Sequence, residues 1–467
     1  MNRILNQRRG GKNEKSFFPP LFCYTMEIDR NRVLRFSERA RGIIDRRGGI
    51  SMPHNEKCFS GEAAVPGHPL WEEMIVRQDG LYNRSDDVRS PFARDYTRIL
   101  HSQAYRRLKF KTQVFYNIDN DHICTRMEHV AHVESVAGTI ASFLGLNTEL
   151  TKAIAIGHDL GHAPFGHQGE VVLRKLTTEH LGEDFWHERN GLRFVDNIEL
   201  LADNYNEKRN LNLTYAVRDG IISHCGELDE NGLCPRKEII CLESDFQSPG
   251  QYSPVTWEGC VVKIADKIAY IGRDIEDARS LGFLSKRAEQ QLLDMARVHD
   301  ANVYNTTVIM HNLIIDICEN STPETGITLS PAFNEQMNAL KNFNYNNIYR
   351  HQRFKPYTHY TELVINELFG ALLEMYDERG TWDRLRGAQR YCPELFGSFA
   401  RFLARYCDPE VIPASERELT DIAVVCKNRK IYGRLESPRD YIQCIIDFIS
   451  GMTDRYAVRV FEELLRY

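Results

Sequence analysis

Beyond Trp71, apolar residues recur at spacings of three and four along most of the chain, the period of a helix that buries one face. Over residues 95–108, Tyr96, Ile99, Leu100, Ala104 and Leu108 share such a face. Over 126–144, Val133, Val136, Ile140 and Leu144 do the same, and Gly145 supplies the stop. The run 150–158 is short and apolar, as a buried central helix would be, whereas 258–281 is long, with Val262, Ala265, Ile268 and Ala269 turned inward. Segments 303–318, 360–376, 393–406, 439–452 and 454–465 complete a helical set. Strand signals are few. Segments 238–242 and 255–257 predict at most a small β-hairpin. The expected fold class is all-α: a helical bundle with additional C-terminal helices.

Composition narrows this picture. The chain has 467 residues, 42% hydrophobic and 27% charged, which suits a globular protein with a large core. Its net charge of -6 argues against wholesale coating of nucleic acid. No apolar run approaches membrane-span length, and the apolar segment of a secretory signal is missing, so a cytoplasmic location with no membrane partner is expected. The 12 cysteines are scattered, with no CxxC pair, and read as reduced thiols. Cys225, Cys234 and Cys241 lie close enough for a zinc loop, but no fourth ligand follows at zinc-finger spacing. Residues 1–70 are basic and broken by Gly and Pro, with Arg8-Arg9, Arg46-Arg47, Pro19-Pro20 and Gly48-Gly49. They are expected to form a disordered or loosely packed extension. That leaves a core over 71–300 and a C-terminal helical region, 301–467, packed on it.

The chemistry concentrates in HDLGHAPFGHQGE, from His158 to Glu170. A His-Asp pair closes the apolar run, His162, His167 and Glu170 follow, and Gly161, Pro164 and Gly166 interrupt the helix. Joined by His129 and Asp266 from distant helices, His158 and Asp159 make a set of two imidazoles and two carboxylates. That set suits Mg²⁺, Mn²⁺, Fe²⁺, Co²⁺ or Ni²⁺ and leaves coordination positions open. An HD pair alone is a common helix end. His132, three residues after His129, is a rival for the first ligand. Asp266, Tyr270 and Asp274, at i, i+4 and i+8, line one stripe of one helix.

Several ordered segments together are more specific. RDYTRILHSQAYRRLKFKTQVF (Arg94 to Phe115), TRMEH (Thr125 to His129), HDLGHAPFGHQGE, VVKIADKIAYIGRDIEDA (Val261 to Ala278), NNIYRHQRF (Asn346 to Phe354) and DYIQCIIDFISGMTDRYA (Asp440 to Ala457) resemble the HD-domain deoxyguanosinetriphosphate triphosphohydrolase (dNTPase) family, from about Trp71 onward. The resemblance implies metal ligands at His129, His158, Asp159 and Asp266, and a catalytic pair at His167 and Glu170. It implies phosphate contacts at Arg126, His162, His187 and Lys267. Gln113 and Asp274 would meet the 3′-hydroxyl, and Tyr270 would pack under the deoxyribose. The implied reaction is metal-dependent hydrolysis of a deoxynucleoside triphosphate, dGTP or dNTPs in general, to deoxynucleoside and tripolyphosphate. Family members are often hexameric and nucleotide-activated. The basic run Arg106-Arg107, Lys109 and Lys111 could reach phosphate, a regulatory nucleotide or single-stranded nucleic acid. The alternatives are a relative acting on another nucleotide phosphate ester, and a non-catalytic nucleotide- or nucleic-acid-binding one. Two departures stand out. His129 is followed by Val-Ala-His where relatives read Ser-x-Glu-Val, and Lys267 stands where an acidic residue is common.

Overall fold

The computed structural model describes residues 57–80, 87–116, 120, 122–225, 231–298 and 307–466. Helix α1 (Pro91–His101) and helix α2 (Gln103–Arg107) replace the single helix expected over 95–108. The break is chemical. Ser102 is extended (φ -65°, ψ 153°), and its hydroxyl accepts the N–H of Tyr105 as the cap of α2. Helix α3 (Arg126–Leu144) has the expected bounds. Thr125 and Glu128 form a reciprocal capping box at its start, and Gly145 ends it in the left-handed region at φ 85°.

Helix α4 (Thr148–Gly157) follows, capped by Asn147, and then α5 (Gly166–Leu181), α6 (His187–Arg193) and α7 (Tyr215–Ser223). Every residue of α7 is buried, and its charged pair Arg218 and Asp219 is spent on Asp196 and Arg236, so its polar positions mark no solvent-facing side. Helix α8 (Trp257–Ser280) is the longest described helix. Helices α9 (Lys286–Ala296), α10 (Thr307–Asn320), α11 (Pro331–Asn344) and α12 (Lys355–Leu373) come next. Of the helix expected over 303–318 the described part is α10, and residues 303–306 lie outside the described residues. The last set is α13 (Thr381–Ala388), α14 (Pro393–Tyr406), α15 (Arg417–Val425), α16 (Pro438–Ser450) and α17 (Asp454–Leu464).

A small hairpin exists, but not where it was expected. It pairs β1 (Leu200–Ala202) antiparallel with β2 (Lys208–Asn210), Leu201 opposite Arg209. Segments 238–242 and 255–257 are irregular or helical instead. Turn chemistry decides the difference. Asp203 accepts the N–H groups of Tyr205 and Glu207, and Asn206 takes the left-handed conformation (φ 61°) that closes the loop.

Helix α3 packs most extensively against α4 and α8, and α4 in turn against α1 and α7. This five-helix junction carries the candidate site residues His129, His158 and Asp266. The C-terminal helices close over the same core, since α12 and α16 both pack on α5. Packing also begins before Trp71. Lys57 donates its N–H to Phe143, Phe59 meets Trp257 edge-on at 4.8 Å, and Ala64 donates to Glu258. Residues 1–56 of the expected extension lie outside the described residues. Among the described residues no helix is long and apolar enough to cross a membrane.

Candidate metal centre

Three helices bring together four residues that are far apart in sequence. His129 lies one turn into α3, His158 and Asp159 close α4, and Asp266 stands on α8. His129 Nε2 is 3.0 Å from Asp266 Oδ1 and 3.8 Å from Asp159 Oδ2. His158 Nε2 is 3.4 Å from Asp159 Oδ1 and 3.8 Å from Asp266 Oδ1. His132 is half-buried on another face of α3 and joins no such cluster, so His129 is the imidazole that faces the carboxylates.

The donor set fits a cation. His158 Nδ1 lies 2.6 Å from the carbonyl oxygen of Ala155 and must donate its proton there. Nε2 is then a lone pair, buried without a hydrogen bond and aimed at two carboxylates. Acceptors facing acceptors in a buried space need a cation between them. Burial would push Asp159 up, but His162, His158 and Arg126 hold it well below the usual carboxylate range. Asp266 is likewise held at about 2, against burial, by His129 and His158. Burial would lower His129, but Asp266 and Asp159 outweigh it and keep its affinity for a positive charge raised.

Around this centre lies a second ring of groups. Arg126 is almost fully buried, and its Nη1 meets Asp159 Oδ2 at 2.8 Å. Its Nε and Nη2 have no partner. His162 Nδ1 is 3.0 Å from Asp159 Oδ1, and its ring stacks on His187 at 3.8 Å. Burial and Arg126 keep His162 neutral. His167 opens to solvent at the start of α5, 5.8 Å from His162 ring to ring. Surrounding protein and Arg126 pull its pKa below the usual imidazole range, and its exposure tempers that pull. Glu170 and His167 can offer ligand atoms to one point with His162. The Glu170 carboxylate itself bonds His187 Nδ1 at 3.1 Å and Arg174 at 2.8 Å. Against burial, His187 and His167 hold Glu170 at about 2. Glu188 and Glu170 raise His187 to about 9, also against burial.

The loop from Asp159 to Phe165 is tightly fixed. A Cβ on Gly161 would sit 2.0 Å from the His187 carbonyl oxygen, so only glycine lets α6 approach. Asn190 donates to the Gly161 carbonyl at 2.7 Å. Phe165 takes the left-handed conformation (φ 65°), costly for an aromatic residue, and is held from both sides. Its N–H goes to Asp454, and its carbonyl accepts the Tyr357 hydroxyl at 2.8 Å. Lys111 is buried and donates to the carbonyls of His162 and Ser450, while Arg107 pairs with Glu199 at 2.5 Å. Two members of the basic run therefore serve the fold.

The remaining sequence-derived positions extend along α8 and the 111–116 segment. Asp274 is buried and accepts the Tyr349 hydroxyl. Its other oxygen has no hydrogen bond, and burial pushes it up to about 7 despite Tyr349. Tyr270 is half-buried on the same stripe, and Lys267 is buried beside Asp266. Gln113 is buried with Oε1 unbonded, and its backbone carbonyl lies 3.4 Å from where a Gly166 Cβ would be. Sequence reasoning missed Tyr349, Asp454, Glu188 and His224. Tyr349 and Asp454 stand inside segments already singled out. His224 follows helix α7 much as His158 follows α4, but Arg218 and Asp219 interrupt the apolar residues before it, so the sequence carried no comparable signal. The three cysteines of the zinc-loop idea separate: Cys234 and Cys241 are exposed, and Cys225 sits beside His187 and His224.

Among known protein families, the HD domain family matches residues 126–271, the span that holds His129, His158, Asp159 and Asp266. The phosphohydrolase-associated domain matches residues 327–384. A deoxyguanosinetriphosphate triphosphohydrolase-like protein of Caldanaerobacter subterraneus is 32% identical over 81% of this chain and 86% of its own. Its counterpart in Thiobacillus denitrificans is 32% identical over 79% and 89%, and that of Desulfatibacillum aliphaticivorans is 36% identical over 62% and 74%. The chain belongs to the HD-domain phosphohydrolases, in the family of the deoxyguanosinetriphosphate triphosphohydrolase-like proteins.

Proposed function

We propose that this protein hydrolyses deoxynucleoside triphosphates to deoxynucleosides and tripolyphosphate. The observation that supports this most is the convergence of His129, His158, Asp159 and Asp266 beside the unbonded nitrogens of Arg126. A divalent cation held by those four residues would polarise a phosphoryl oxygen and lower the pKa of the attacking water. Mg²⁺, Mn²⁺ and the borderline ions Fe²⁺, Co²⁺ and Ni²⁺ all suit two imidazoles and two carboxylates.

The chain's own groups supply the rest. Arg126 offers two free nitrogens of its planar fork to the triphosphate, with the opposite edge anchored on Asp159. His162 adds a neutral imidazole, and His187 and Lys267 add positive charge. His167, exposed at the start of α5, handles the proton that passes to the departing 5′-oxygen, with Glu170 raising its proton affinity against the larger lowering by burial and Arg126. Release of intact tripolyphosphate requires cleavage of the ester bond at the α-phosphorus, not an anhydride. Asp274, bonded to Tyr349, and Gln113 are suited to the 3′-hydroxyl, and Tyr270 to the face of the sugar that lacks a 2′-hydroxyl. A homo-oligomer activated by a nucleotide belongs to the same reading.

The experiment is to incubate the protein with each dNTP and Mn²⁺ or Mg²⁺ and identify the phosphate product. Tripolyphosphate is expected. Orthophosphate or pyrophosphate as the main product would overturn the reading.

A further inference from the structure

A cavity of about 430 Å³ is enclosed by α2, β2, α14 and the turn that joins α16 to α17. None of its lining residues belongs to the candidate metal centre. Four cations line it: Arg107 from α2, Lys208 from β2, and Arg401 and Arg405 one turn apart on α14. Glu199 is the single carboxylate among them, so the lining carries an excess of three positive charges. Glu199 is already bonded, to Arg107 Nη2 at 2.5 Å and to the N–H of Gln103 at 2.8 Å. Among the described residues no carboxylate pairs with Lys208, Arg401 or Arg405.

Burial sharpens the demand for an anion. Arg107 Nε and Arg405 Nε are both buried with no hydrogen bond. A buried guanidinium N–H without an acceptor is costly, so the two point to an acceptor brought from outside. Phe194, Phe402 and Phe448 make the apolar side of the cavity, and Arg107 lies over the Phe194 ring at 5.8 Å. Such walls exclude water and strengthen the attraction between unlike charges. Planar forks and three excess charges match an anion with several charges and many acceptor oxygens, which is the chemistry of a polyphosphate. A single carboxylate would leave donors unfilled.

The cavity is also wired to the loop after Asp159. Gly451, Met452 and Thr453 form one wall, and a Cβ on Gly451 would lie 3.3 Å from the Phe194 ring, so wall and ring are in contact. The residues at either end of this wall hold the loop. The Ser450 carbonyl accepts Lys111 Nζ at 3.0 Å, and the same ammonium holds the His162 carbonyl. Asp454 accepts the N–H groups of Phe165 and Thr112. We propose that this cavity is a second anion site, which binds a polyphosphate group and passes its occupancy to the loop after Asp159 through Ser450 and Asp454. Two sources carry that chemistry: free tripolyphosphate and the tail of a nucleoside triphosphate. The first source rests on the reaction proposed above, and the site itself does not.

Calorimetric titration of the full chain, stripped of divalent cations so that no turnover occurs, tests this. Tripolyphosphate and dATP are each titrated into the parent and into Arg401→Gln/Arg405→Gln. The double variant should bind tripolyphosphate about tenfold more weakly or worse, as expected for lost charge-assisted bonds. Equal affinity of the parent for both probes assigns the site to the phosphate chain alone. Tighter binding of dATP, also weakened in the double variant, assigns it to the nucleotide. Unchanged affinity for both probes in the variant would overturn the proposal. Lys208→Gln, at an exposed position of β2, covers the case in which the double variant does not fold, and should weaken binding in the same direction. Hydrogen exchange reads the coupling: tripolyphosphate should slow exchange of the Phe165 and Thr112 amides in the parent, and unchanged exchange refutes the link to the loop. Failure of these tests leaves the product analysis of the cation-loaded parent untouched.

Discussion

Asp454 accepts the backbone N–H of Phe165 at 2.8 Å with one carboxylate oxygen, and the N–H of Thr112 at 2.8 Å with the other. The first residue of the C-terminal helix α17 thus pins the left-handed residue that ends the loop after Asp159, together with the segment carrying Gln113. Asp454→Asn keeps one acceptor and turns an NH₂ toward the second N–H. The buried bond lost should cost roughly 2 to 3 kcal/mol. Chemical denaturation is expected to show that drop, with helical circular dichroism unchanged in the native baseline. A stability within about 0.5 kcal/mol of the parent would show that the pin is dispensable.

His158→Ala removes the imidazole whose Nε2 faces both carboxylates. Metal analysis after dialysis should show loss of the cation bound there. Activity with Mn²⁺ should fall by at least about a hundredfold, because a bound cation contributes several kcal/mol to phosphoryl chemistry. A His132→Ala variant should retain both, since His132 joins no ligand cluster.

Arg126→Lys keeps a positive charge but loses the fork that spans Asp159 and the space beyond it. The expected result is a rise in KM for the triphosphate of about tenfold or more, one lost charge-assisted bond. Steady-state kinetics at saturating metal distinguish this from weakened cation binding. An unchanged KM would place the free nitrogens of Arg126 outside the substrate site.

Asp274 gives stability a pH dependence. Burial raises its carboxyl to about 7, against 3.8 for the ordinary group. Between those values the unfolded chain has released the proton and the folded one retains it, so the stability contributed by Asp274 is lost as pH rises from about 4 to 7. The melting temperature of the parent should fall relative to Asp274→Asn across that range and hold level above it. Tyr349→Phe removes a donor that favours the ionised form, so the relative loss should continue past pH 7. Parallel melting curves for parent and Asp274→Asn from pH 4 to 8 would contradict the assignment.

The helices with one polar face and clear caps were legible in the sequence. Helix α3 has its capping box and terminal Gly145, and α14 begins at Pro393 and ends at Tyr406 as its periodicity indicated. Helix α7 was not legible, because burial on every side erases the period. The break at Ser102 was hidden because α1 and α2 continue one apolar stripe, and only the cap distinguishes them. The hairpin was misplaced because its strands are three residues long and its turn, not alternation, sets it. In the candidate site, motif order pointed to the four cation-facing residues. It did not reveal that Glu170 bonds His187, or that Cys225 lies beside it, because those pairings depend on how α5, α6 and α7 meet.

The two hydrogen bonds of Asp454 close loops of 289 and 342 residues. The HD span from 126 to 271 therefore carries every cation-facing residue but not the parts that set its loop. It is not a transferable cassette. During synthesis the ribosome finishes the four clustered residues long before it makes Tyr357 and Asp454, so the loop after Asp159 gains its two anchors late. Loop-closure entropy makes that final docking slow relative to local helix formation. A chain interrupted between 271 and 454 would bear the motif without the carboxylate that holds both Phe165 and Thr112.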